Sequence, residues 1–215
     1  MTDLAKYTHV IWDWNGTLLN DAWLCVDVMN GMLAKRNLPR KTLYQYMQIF
    51  DFPVKDYYQK LGYDFDEEPF EVVGMEFMVK YNERQKETRL HEGVIPILDA
   101  FRRNGFHQYI LSAREQDDLV EETKAFGVFE YFDHIYGLDD HYAHGKTEVG
   151  IKLLNEIKVE KNKLLFIGDT RHDAEVAGEL GIDCILISNG HHTRERLTFL
   201  NLPTLASLKE LRAIL

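Results

Sequence analysis

Asp13 ends the apolar run in "THVIWD", Asp169 ends another in "LLFIGD", and Asp173 follows one helical turn later. Ser112 closes a third run, "HQYILS", and Lys146 opens a helix-like pattern behind a glycine in "HGK". An unpartnered carboxylate at the end of a buried strand is costly. Two carboxylates, a hydroxyl and a lysine at one sheet edge therefore call for a counter-charge. A hard divalent cation held by oxygens, typically Mg2+, supplies one. Asn15 stands two places after Asp13, where a second acid would complete an acid–base pair.

The elements that position these groups follow from the hydrophobic pattern. Continuous apolar runs at 8–12, 107–112, 133–137, 163–168 and 183–188 read as strands covered on both faces. Helix-like patterns alternate with them at 93–105, 114–127, 146–157 and 172–181, the first two ending at Gly105 and Gly127. This βαβ alternation implies an α/β protein with a Rossmann-like parallel sheet and right-handed crossovers. In such sheets ligands bind beyond the carboxyl ends of the strands, where the acids stand. Between about 20 and 90 no strand is expected and helical patterns follow one another, too long a stretch for a crossover. The chain thus divides into a core, 1–19 with 91–215, and a helical cap, 20–90, inserted after the first strand.

Bulk properties narrow the function. Hydrophobic residues make up 45% and charged residues 28%, a folded globular composition. A net charge of −10 argues against a nucleic-acid or anionic-membrane partner, and no apolar run is long enough to span a bilayer. Cys25 and Cys184 are too few and too far apart for a disulfide framework, which suits a reduced, cytoplasmic protein.

The ordered set "DWNGT", "LSA", "HGK" and "GDTRHD" resembles the haloacid dehalogenase superfamily of aspartate-nucleophile hydrolases, C1-capped and phosphoglycolate-phosphatase-like, nearly end to end. The resemblance implies that Asp13 attacks phosphorus and becomes a transient aspartyl phosphate. It implies Mg2+ held by Asp13, Asp169 and the Asn15 carbonyl, with Asp173 beside the metal site to orient a ligand water or Lys146. Ser112, Ala113 and the backbone N–H groups around Trp14 to Thr17, Gly16 and Thr17 among them, would hold phosphate oxygens, and Lys146 would neutralise charge on nucleophile and phosphate. The substrate would be a small phosphorylated metabolite.

The sequence departs from the family at Asn15, where most of its phosphatases carry an aspartate that protonates the leaving group. An amide cannot titrate, and general acid–base catalysis is typically worth about 10²–10⁴-fold. Three accounts stand open. The leaving group departs unprotonated; or a histidine substitutes, among His172, His141, His144, His191 and His192; or the chemistry is that of a dehalogenase or of a phosphonatase with Lys55 as imine former. A non-catalytic phospholigand-binding protein is the rival from another class, opposed by the retained Asp13, Lys146 and Asp169. Specificity is expected in the early cap loop, 49–62, where Phe50, Phe52 and Tyr57 offer apolar surface and Lys55 a cation for a second anionic group.

Overall fold

The computed structural model describes residues 4–138 and 145–215. His141 and His144 therefore lie outside the described residues. Six strands form one parallel sheet: β1 (His9–Trp12), β4 (His107–Glu115), β5 (His134–Leu138), β6 (Leu164–Gly168), β7 (Asp183–Ile187) and β8 (Thr204–Leu205), in the order β5-β4-β1-β6-β7-β8. A separate antiparallel pair joins β2 (Leu19–Asn20) to β3 (Arg89–Leu90).

The continuous apolar runs work as expected because helices cover both faces of the sheet. Alternate residues point to opposite sides. Val10, Trp12, Ile110, Leu165 and Ile167 pack in one cluster with α5 (Val94–Arg103), α6 (Gln116–Ala125) and α10 (Leu208–Ala213). Ile11, Leu111, Phe166 and Leu186 pack in the other with α7 (Lys146–Ile157), α8 (Arg171–Leu180) and α9 (Arg194–Thr198). Four further helices, α1 (Ala22–Lys35), α2 (Leu43–Ile49), α3 (Val54–Leu61) and α4 (Phe70–Arg84), lie between β2 and β3 in the chain. They build a third apolar cluster of their own, centred on Leu24, Met32, Leu33, Tyr58 and Val73.

Two expectations need correction. The stretch 20–90 is not free of strand, since Asn20 pairs with Arg89 and Leu19 with Leu90. That pair ties together the two points where the chain leaves and re-enters the core. The second long strand does not stop at Ser112 but runs to Glu115, with a register irregularity between Leu111 and Glu115 against β5. The irregularity lets Ser112 stay at the site while the chain continues in extended form.

Register explains the convergence of the acids. Trp12 is paired with both Ile110 and Ile167 on the flanking strands. Asp13 is one residue beyond Trp12, while Ser112 and Asp169 are each two beyond their paired isoleucines. Neighbouring strands lie about 4.8 Å apart, so the three side chains meet at one edge. β1 is central, and the chain builds outward to β5 on one side before crossing to β6 on the other. This reversal is where such sheets open a crevice.

Candidate active site

Asp13 is buried, and its Oδ1 accepts a hydrogen bond from Lys146 Nζ at 2.6 Å. The same ammonium donates to Asp173 Oδ1, also at 2.6 Å. Lys146 is the first residue of α7, entered through Gly145 at φ +99°, a turn that favours glycine. Carboxylate oxygens of Asp13, Asp169 and Asp173 lie within 4.8 Å of one another. Three buried acids facing one lysine leave a surplus of negative charge, and their donors are all hard oxygens. The set fits a divalent metal ion.

The oxygens are not equally free. Asp173 caps α8: its Oδ2 accepts from the backbone N–H groups of Asp169 and Thr170 and from the Thr170 hydroxyl, and Oδ1 takes Lys146. Accepting more hydrogen bonds than either neighbour, Asp173 orients Lys146 and the turn after β6. Asp169 accepts from the Thr17 hydroxyl at 2.9 Å and the His191 N–H at 2.6 Å. Burial pushes Asp13 up to about 6, against the opposing Lys146 ammonium and with the Asp173 carboxylate adding to the rise. Burial likewise holds Asp169 well above the usual carboxylate range. Cationic charge beside these acids would lower both.

The Gly16 N–H and the Thr17 hydroxyl are already taken within the protein. The Gly16 N–H donates to Leu19 O at 2.8 Å and to Asp21 Oδ1 at 3.0 Å, and the fully buried Thr17 hydroxyl is spent on Asp169. Gly16 serves close approach instead: at φ +79°, a Cβ there would meet Asp169 Oδ2 at 2.3 Å. Ser112 and Ala113 do line the cavity above Asp13, and the Ser112 oxygen accepts from the Arg114 N–H at 3.1 Å. Lys55 does not line it. It is exposed on α3, with its ammonium 5.6 Å from the Phe65 ring. A lysine one residue after the start of a short helix points where the helix turn sends it, and here that is outward.

Asn15 belongs to a buried network that sequence reading missed. Its amide donates to Asp21 Oδ2 at 2.9 Å and to the Tyr81 hydroxyl at 3.1 Å. Tyr81 donates to the same Asp21 oxygen at 2.8 Å. On the other side, His191 Nε2 lies 3.2 Å from Asp21 Oδ1 and its Nδ1 lies 2.7 Å from the Tyr46 hydroxyl. Burial alone would raise Asp21, but the His191 imidazolium and the hydrogen bonds from His191, Asn15 and Tyr81 bring it down to about 2. Burial alone would lower His191, but Asp21, with Asp169 and Asp13 farther off, holds it up at about 9. An acid is thus present beside the amide, six residues on.

The other histidines sit differently. His172 lines the cavity against the Phe52 ring at 4.5 Å, its Nε2 buried without a hydrogen-bond partner among the described residues, and burial lowers its basicity. His192 accepts at Nδ1 from the Arg171 N–H at 3.0 Å, and burial pushes it down to about 3. It is a structural cap on the start of α8.

A family model for haloacid dehalogenase-like hydrolases matches residues 10–187, which contain every strand-end acid described above. The chain belongs to this family. Among relatives, a phosphoglycolate phosphatase from Thiobacillus denitrificans is 24% identical over 200 residues, covering 90% of this chain and 88% of that one. A pyrophosphatase, PpaX, from Halalkalibacterium halodurans is 23% identical over 165 residues, covering 76% and 75%. A solved haloacid dehalogenase-like hydrolase from Streptococcus pneumoniae superposes with a TM-score of 0.81 at 20% identity, over 97% of this chain and 98% of that one. The expected fold and hydrolase class are borne out. Among the described residues no helix is long and apolar enough to cross a membrane.

Proposed function

We propose that the chain is a Mg2+-dependent phosphatase of small phosphorylated metabolites that works through an aspartyl phosphate on Asp13, with acid–base catalysis weakened by Asn15. The observation that carries this reading is the buried Asp13–Lys146–Asp173 chain at 2.6 Å per link, with Asp169 alongside. A binding module has no need of a nucleophile held so.

Asp13, Asp169 and the backbone carbonyl of Asn15 would hold the metal. When bound, it would neutralise transferring phosphoryl oxygens and let the anionic nucleophile approach them. The Asp13 carboxylate forms an O–P bond as the ester P–O bond breaks, its electron pair leaving with the alcohol or phenol oxygen. Water then attacks phosphorus, releasing phosphate and restoring Asp13. Lys146 holds Asp13 in line and, with Ser112, receives phosphate oxygens. Residues 20–90 act as a cap that closes over the site and excludes water. The protein works in the cytoplasm.

The test is phosphate release from a panel of phosphate esters and anhydrides with and without Mg2+. We expect metal-dependent release by the wild type and loss of at least 10³-fold in Asp13→Asn, a substitution that keeps the size of the side chain and removes the nucleophile. Release that survives in Asp13→Asn, or that ignores Mg2+, contradicts the reading.

A further inference from the structure

The cavity above Asp13 is walled on the cap side by rings and thioethers, and each cation that reaches it from the described residues already faces a carboxylate. Phe50, Phe52, Tyr57, Phe70, Phe77 and Met78 line it, continuous with Asp13, Ser112 and Lys146 at its floor. Among the described residues four cationic or potentially cationic side chains reach it, and each faces a carboxylate. Lys146 is held by Asp13 and Asp173. Arg114 is held by Glu122 at 2.8 Å and Asp118 at 3.0 Å. His191 faces Asp21 at 3.2 Å, and His172 lies 3.8 Å from Glu175. The one cation expected to receive a second anionic group, Lys55, is outside the cavity. An anionic leaving group would therefore lie against Asp21, Glu115 and the ring wall with no unpaired cation among the described residues to receive it.

We propose that the substrate is an aryl phosphate, whose uncharged ring occupies this cavity while its phosphate sits at Asp13. The inference rests on the phosphatase reading and names its substrate class. Size agrees: the cavity measures about 200 Å³, and an apolar cavity of about 150 Å³ holds a benzene ring. Among the described residues, three side chains lining the cavity have a buried atom without a hydrogen-bond partner, the Tyr57 hydroxyl, Arg114 Nη1 and His172 Nε2, and they suit a polar ring substituent. Leaving-group chemistry agrees independently. A phenolic oxygen, with a pKa of about 10, departs as phenolate with the P–O electron pair and takes its proton from water afterwards. An aliphatic alkoxide needs the acid that Asn15 replaces. An aryl ester is therefore a substrate for which the amide costs little.

The experiment pairs turnover with binding. With Mg2+ present, kcat/KM for phenyl phosphate and 1-naphthyl phosphate is compared with that for 2-phosphoglycolate and pyrophosphate. Calorimetry compares phenylphosphonate with phosphonoacetate, two non-hydrolysable ligands that differ in ring against carboxylate. We expect at least tenfold higher kcat/KM for the aryl esters and at least tenfold tighter binding of phenylphosphonate. Met78→Lys, which puts a cation in the wall one helical turn from Tyr81, should shift binding toward phosphonoacetate. Equal or tighter binding of phosphonoacetate by the wild type overturns the proposal, even if aryl esters turn over faster through their own reactivity. Absence of turnover on every substrate would sink the phosphatase reading alone, and the binding order would still decide this one.

Discussion

Asn15, two residues after Asp13, donates its amide to a buried acid, Asp21, whose oxygen is 2.9 Å from the amide nitrogen. Asn15→Asp would set two carboxylates at that separation. They would share a proton, and one would titrate well above the ordinary range. The substitution should therefore restore a general acid: turnover of alkyl phosphates rises at least several-fold, with the optimum moved to lower pH, while Mg2+ affinity is kept. Unchanged alkyl turnover with the metal still bound would contradict this account of Asn15. The Asp21–His191 pair makes a second prediction, for stability against pH. His191 is raised from 6.5 to about 9, so its contribution is whole below pH 6.5 and fades as pH climbs through 9. Asp21 is lowered to about 2, so its contribution holds above pH 4 and fades as pH falls through 2. Both shifts describe one ion pair and count once, on the order of 1–3 kcal/mol. In His191→Gln the loss of Tm between pH 7 and 9.5 should be smaller than in the wild type. Parallel curves would show that the pair carries no net stabilisation. Asp13, Lys146 and Asp169 were legible because each ends or starts an element. Asp21 was not, because its partner His191 is 170 residues away in sequence.

Elements meet around the loop between α2 and α3. Asp51 accepts from Arg171 on α8 at 3.0 Å and from Arg196 on α9 at 2.9 Å, and Arg196 also donates to Met47 O at 3.0 Å. Asp51 and Arg196 are partly shielded from water, so these links are worth more than the ordinary surface pair. They fasten the ring-bearing loop over the site. Asp51→Ala should raise KM several-fold with a smaller change in kcat, since the nucleophile and Lys146 are untouched. A fall in kcat at constant KM would place the effect elsewhere. The long strands and α7 were legible from apolar runs and glycine stops. The two-residue strands β2, β3 and β8 were not, because so short a run has no period to read, and their pairing partners are set by the tertiary fold.

Across the whole molecule three apolar clusters divide the chain, two pressed on the sheet and one among the four inserted helices. Sequence length and pattern point to an inserted helical stretch, since helices without strands cannot cross between parallel neighbours over so long an interval. What the pattern could not forecast is which way the cap's side chains face. Lys55 turned out and the aromatic residues turned in, leaving an apolar chamber over a charged floor. The chemistry of that floor is the central claim, and acid-quenched turnover tests it most directly. With the deprotonating carboxylate replaced by Asn15, hydrolysis of the phosphorylated enzyme should be slow enough for the intermediate to accumulate. Mass spectrometry of the quenched, digested wild type should find one phosphoryl group on the peptide containing Asp13, absent from Asp13→Asn. Steady turnover with no phosphoryl group on that peptide, or one equally present in the variant, would contradict it.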